Sequence, residues 1–176
     1  MQRQQQVTEW LKRQFPNAQF ALAPASADAS FRRYFRATFG DGSTKIVMDA
    51  PPQHEDCKPF LHIAKLFADA GTHTPHVYAQ DLELGFLLLS DLGNTTYLQA
   101  LTSDNAPKLY SAASDALIKI QLASRENELP PYDEALLRRE MSLFPDWYIA
   151  KHLGVTLSDK QKSTLEEVFT RIVSNN

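Results

Sequence analysis

The sequence predicts an α+β protein whose strands come early and whose helices dominate the second half. Three observations carry this. Alternation of apolar residues with a period of two is confined to residues 31–90, and helical spacing takes over from Tyr97. An Asp-Gly pair, Asp41-Gly42, sits between two strand-like runs, where it supplies the positive φ of a tight turn.

Taken in order, Val7, Trp10, Leu11 and Phe15 recur at helical spacing, which predicts an amphipathic helix over the first 15 residues, ended by Pro16-Asn17. ALAPASADAS, residues 21–30, has too little apolar content for an element and is expected to be a loop. Phe31, Phe35, Ala37 and Phe39 then fall on one face of a strand, and Arg32, Tyr34, Arg36 and Thr38 on the other; Arg33 interrupts the apolar face. TKIVMDA, residues 44–50, pairs back across the turn, and Pro51-Pro52 stops it because proline cannot donate to a ladder. Residues 55–70 read as a helix with Phe60, Ile63, Ala64 and Phe67 in one stripe and Gly71 as its stop. TPHVYAQ and LGFLLLS are two further strands around a turn at 81–85. Helices follow at 97–101, 107–124, 133–153 and 158–173, the last opened by the N-cap residue Ser158.

Composition narrows the class. The chain has 176 residues, 43% hydrophobic and 22% charged, which suits an ordered globular protein. A net charge of −3 argues against a nucleic-acid partner, and no apolar run approaches the ~20 residues that a membrane helix needs. Cys57 is the only cysteine, so no internal disulfide forms; with no apolar leader at the N-terminus, a reducing, cytoplasmic location is expected.

Three stretches carry chemistry. The arginine-rich hairpin, with Ser26, Ser30 and the small residues before it, can lie over phosphate groups; it equally fits an ordinary strand with solvated arginines. GFLLLSDLGN is an apolar strand leaving its sheet through a turn, a pattern that many buried strands share. LLRREMSLFPDWY puts Glu140 and Phe144 on one side of a helix with Trp147 and Tyr148 beyond a proline, which fits a sugar pocket or a helical core stripe. His73 and His76 have no cysteine or carboxylate at ligand spacing, so no metal site is expected, and RRYFR lacks the companion motif of an RNA-stacking sheet.

Together ASFRRYFR, VMDAPP, FLHIAKLFADAG, GFLLLSDLG and LPPYDEALLRREMSLFPDWY resemble the N-terminal half of the aminoglycoside phosphotransferase superfamily, and more narrowly its branch of N-acetylmuramate/N-acetylglucosamine anomeric kinases. The resemblance runs from about Trp10 to Val173. It implies a protein-kinase-like N-lobe, an antiparallel sheet plus a helix, at 1–90, then a hinge and the first helices of a C-lobe at 91–176. It also implies ATP and Mg²⁺ as cofactors, a small amino sugar as the substrate, and phosphorylation of that sugar's anomeric hydroxyl. By the same resemblance Ser30, Phe31, Arg32, Arg33 and Tyr34 form the nucleotide loop, Ser90 and Leu92 read adenine, and Glu140, Trp147 and Tyr148 face the sugar.

Two departures from the superfamily pattern stand out. Its strand lysine, paired with a glutamate on the next helix, is replaced by Asp49 in VMD, with Phe60 near the glutamate position; phosphate charge would then fall to Arg32, Arg33 or Lys45. The one His-x-Asp string, HED at residues 54–56, lies before the lobe helix and has no Asn at the required offset, so no catalytic residue is assigned. The chain is expected to be a truncated form that is inactive alone, and a non-catalytic nucleotide- or sugar-binding module is the alternative.

Overall fold

A computed structural model describes residues 2–27 and 30–175. Helix α1 (Gln2–Gln14) leads into strands β1 (Phe20–Ala27), β2 (Arg33–Phe39) and β3 (Thr44–Asp49). Helix α2 (Lys58–Asp69), strands β4 (Val77–Asp81) and β5 (Phe86–Ser90), and helices α3 (Tyr97–Ala100) and α4 (Ala106–Ala123) follow. The remainder is α5 (Glu134–Leu143), a π-helix over Phe144–His152, and α6 (Asp159–Val173). The chain divides into two compact units, Met1–Ser124 and Arg125–Asn176.

The five strands form one antiparallel sheet in the order β1-β2-β3-β5-β4. Its two faces carry separate cores. On one, Phe35, Ala37, Val47, Phe86 and Leu88 pack against Val7, Trp10 and Leu11 of α1. On the other, Met48, Leu87 and Leu89 pack with Tyr34, Ile46, and Phe60 and Leu61 of α2. The alternation seen between residues 32 and 39 is therefore the division between the α1 face and the α2 face.

The loop expected before the hairpin is the first of three corrections. Residues 20–27 are a strand, not a loop, paired with β2 from Phe20–Phe39 to Ala27–Arg33. The sheet edge supplies what composition lacks: β1 needs one ladder only, and Pro24 sits where the register shifts, so its missing N–H costs little.

Local chemistry sets the turns. Gly42 takes φ +82°, and the Asp41 carboxylate accepts from the Ser43 amide at 2.9 Å and hydroxyl at 2.7 Å. Helix α2 begins at Lys58 rather than at residue 55, because Pro59 pre-sets its first turn and Asp56 accepts from the Lys58 amide at 2.9 Å. Gly85 takes φ +71°, and its carbonyl accepts from the Ala50 amide at 2.8 Å. A Cβ at position 85 would stand 1.9 Å from the Ala50 carbonyl oxygen, so glycine alone fits there.

In the second unit the single helix expected over 133–153 changes type at its middle. Pro145 cannot donate to the α-ladder, and the chain continues as a π-helix that closes with the Leu153 amide on the Tyr148 carbonyl at 2.9 Å. Arg138 of α5 bonds both Glu134 and Glu166 at 2.7 Å, tying α5 to α6. Helix α6 starts from Ser158, whose amide donates to the Gln161 side chain at 2.9 Å in a capping box.

Candidate functional site

The arginines of the hairpin are divided between the two faces. Arg32 turns toward the segment before α2 and gives its Nε–H to Glu55 at 3.0 Å; the Phe31 amide reaches the other oxygen of the same carboxylate at 3.1 Å. The Phe31 ring stacks on His54 with centroids 4.5 Å apart, and Ser30 Oγ accepts from the Arg32 amide at 3.2 Å. Arg33 points to the α1 face, where its guanidinium meets Asp49 at 2.5 Å. Asp49 is fully buried and is held from the other side by Arg3 of α1, which also donates to the Leu84 carbonyl at 2.7 Å and lies over the Phe86 ring. A buried carboxylate with two cations is a satisfied anchor for α1. Tyr34 packs among the side chains of the α2 face. Lys45 lies on the α1 face, its ammonium 3.6 Å from the Tyr78 ring centroid.

Beyond β5 the chain is locked to the sheet. The Ser90 amide donates to the His76 carbonyl at 2.8 Å, and Ser90 Oγ accepts from the His76 amide at 2.9 Å. Asp91 takes two bonds from Arg36 of β2, Nε at 2.5 Å and Nη2 at 3.0 Å, and one from the Gly93 amide at 2.9 Å. The Arg36 guanidinium holds the Asp91 carboxyl far below the usual carboxylate range, with the Gly93 amide and the Thr44 hydroxyl adding to the effect. Between these anchors Leu92 is exposed, and no described residue bonds to its main chain. Arg36 and Asp91 were not singled out from the sequence. The signal was present, since the period of two already put Arg36 on the face of Arg32 and Tyr34.

The second unit carries an aromatic ladder. Phe144, Tyr148 and His152 stack in succession, with centroids 5.7 and 5.5 Å apart and rings within 17° and 27° of parallel. Trp147 is 58% exposed, with the Lys151 ammonium 3.9 Å from its ring centroid. Glu140 lies on α5 beside Arg139 at 3.3 Å. The structure thus brings Trp147 and Tyr148 onto one π-helix, while Glu140 belongs to the α-helix before it.

Elsewhere in the first unit a groove of about 640 Å³ runs between α2 and β4, lined by Leu61, Lys65, His73, His76 and Tyr78. Among the described residues no group of three or more His, Cys, Asp or Glu side chains could hold a metal ion. None of the described helices is long and apolar enough to cross a membrane.

Residues 21–175 match the phosphotransferase enzyme family. The chain belongs to that family. It is 55% identical over 152 residues to the N-acetylmuramate/N-acetylglucosamine kinase of Pseudomonas aeruginosa, covering 86% of this chain and 45% of that protein. It is 47% identical over 184 residues to the kinase of the same name in Pseudomonas putida, covering 98% and 54%. The counterpart in Neisseria meningitidis is 44% identical over 177 residues, covering 98% and 52%. The chain therefore spans about half the length of these curated relatives. The five-stranded antiparallel sheet followed by helices is consistent with the kinase-like lobe expected of a phosphotransferase.

The resemblance puts Asp49 at the superfamily's strand-lysine position. A side chain that pairs with the following helix must face α2, and Asp49 faces α1 instead. The β3 position turned toward α2 is Met48, fully buried in one cluster with Phe60 of α2. Met48 and Phe60 thus meet as an apolar pair between β3 and α2.

Proposed function

We propose that these residues form the nucleotide-binding part of an ATP-dependent kinase that phosphorylates the anomeric hydroxyl of N-acetylmuramate or N-acetylglucosamine. The observation that carries the reading is the pairing of a loop whose donors already grip an anion with an unoccupied main chain at Leu92, in a chain of the phosphotransferase family. The peptide N–H of Phe31 and the guanidinium of Arg32 suit phosphate oxygens. The Leu92 amide and carbonyl suit the hydrogen-bonding edge of adenine, and the Arg36–Asp91 tie keeps that edge still. Bound ATP supplies the phosphoryl group. These residues bind and orient it: Arg32 and Phe31 at the phosphates, Ser90 and Leu92 at the base, with Ser30 shaping the loop and Tyr34 and Arg33 anchoring its end. The donor set does not fit Mg²⁺, since no carboxylate cluster lies among the described residues.

On this reading the functional boundary falls at the hinge, with 1–90 as the nucleotide lobe and 91–176 as hinge and helical lobe. Trp147 offers a ring face for a sugar and Tyr148, stacked between Phe144 and His152, its hydroxyl edge, with Glu140 on the preceding helix as a further hydrogen-bonding group. A cytoplasmic enzyme returning cell-wall amino sugars to synthesis fits the names of the relatives.

The one His-x-Asp string, HED at residues 54–56, has no Asn at the offset of a catalytic loop, which favours a second reading, a nucleotide- or sugar-binding module that does not transfer phosphate by itself. Calorimetric titration with ATP and with N-acetylmuramate, followed by a phosphoryl-transfer assay on the same sample, tests both. Binding with no transfer by these 176 residues fits the nucleotide-binding part of a kinase and the module alike; stoichiometric transfer supports the kinase and removes the module. Binding of neither ligand overturns both.

A further inference from the structure

The HED string at residues 54–56 has no place in the reading above, yet it meets the nucleotide loop through both a carboxylate and a ring. Both oxygens of the Glu55 carboxylate are used, one by the Phe31 amide at 3.1 Å and the other by Arg32 Nε at 3.0 Å. The Glu55 side chain is 11% exposed and that of Arg32 28%, so the pair is largely shielded from water. His54 adds a stacked contact under the 62%-exposed Phe31 ring. The turn that carries both residues is braced, because the His54 and Glu55 amides each donate to the Pro51 carbonyl at 2.9 Å. The anion is thus fixed to the scaffold before α2.

A peptide N–H beside a guanidinium, closing on two oxygens of one anion, is the donor pair that a phosphate group takes. We propose that Glu55 is the built-in counter-ion of a polyphosphate subsite formed by the Phe31 amide and the Arg32 guanidinium, and that an incoming polyphosphate displaces it. The inference rests on the nucleotide-binding reading and adds a competitor to it. A residue that merely aimed Arg32 would need the guanidinium only. Glu55 also takes the single proton of the Phe31 amide, which cannot serve a second anion at the same time. A polyphosphate carries several negative charges against one on the carboxylate, so exchange favours it. Two anions side by side would also repel in a partly shielded site.

The sign of one substitution decides. Glu55→Gln keeps the size of the side chain and removes its charge. Titrated calorimetrically into the chain, inorganic triphosphate and ATP are both expected to bind about 5–10-fold more tightly to E55Q, the scale of one ordinary hydrogen bond. Adenosine, which has no phosphate, is expected to bind E55Q and the native chain alike. Arg32→Ala in the E55Q background is expected to erase the gain. Unchanged or weaker triphosphate binding by E55Q overturns the inference, while ATP binding to the native chain would leave the nucleotide reading standing. Tighter triphosphate binding with no binding of adenosine or ATP would keep the subsite and remove the nucleotide reading. Should E55Q fail to fold, Glu55→Asp, which keeps the charge but shortens the reach, is expected to give a smaller tightening, and no tightening overturns the proposal.

Discussion

Arg32 and Arg33 are neighbours with different work to do. Asp49 is fully buried, so Arg33→Ala leaves it with Arg3 alone. Removing one partner of a fully buried pair costs ~3–5 kcal/mol; with Arg33 half-exposed and a second cation remaining, about 1 kcal/mol is expected, read by chemical denaturation. Arg32→Ala, which leaves the shielded Glu55 with the Phe31 amide alone, is also expected to cost about 1 kcal/mol and, unlike Arg33→Ala, to weaken ATP binding about tenfold, the scale of a charge-assisted bond. Equal effects of both variants on ATP affinity would place both arginines at the phosphates. Asp91 makes a pH prediction. Its carboxyl is depressed by Arg36, so the stability it contributes is present above the ordinary carboxylate range and is lost only as pH falls through the depressed value. Asp91→Asn is therefore expected to lower the thermal midpoint by several degrees between pH 5 and 8. The gap to the native chain should close only in strong acid. A gap that already closes near pH 6 would mean that another group is responsible.

At the scale of elements, two joints repay testing and comparison. Gly85 combines a φ of +71° with a Cβ position 1.9 Å from the Ala50 carbonyl oxygen. Gly85→Ala is expected to cost roughly 2–4 kcal/mol in urea denaturation with little change in the slope, since strain and displaced backbone add. A loss below half a kilocalorie would show that the turn before β5 relaxes freely. The second joint is the passage from α5 to the π-helix. Helical spacing predicted one helix over 133–153 and thus identified the segment, but not its widening at Pro145. Strand β1 was missed for a related reason. Its residues are small and weakly apolar, and it exists because β2 offers a ladder at the sheet edge.

For the whole molecule, the platform in the second unit and the loop in the first make separable predictions. Trp147→Ala is expected to raise the dissociation constant for N-acetylmuramate about tenfold while leaving that for ATP unchanged, the scale of one lost ring contact. Equal losses for both ligands, or for neither, would return Trp147 to a structural role. Periodicity and turn chemistry alone made the order of elements, the β2–β3 hairpin and the two-faced β2 strand legible, because they are local properties of the chain. What each polar side chain faces was not legible. Asp49 on the α1 side, Met48 against Phe60, Glu55 on the loop and Arg36 on Asp91 join residues 12 to 55 positions apart or elements packed on opposite faces. Those partners were decided by the closing of the sheet and the seating of two helices on it. Burial makes an unpaired charge costly, and only the packed fold determines which charge lies within reach.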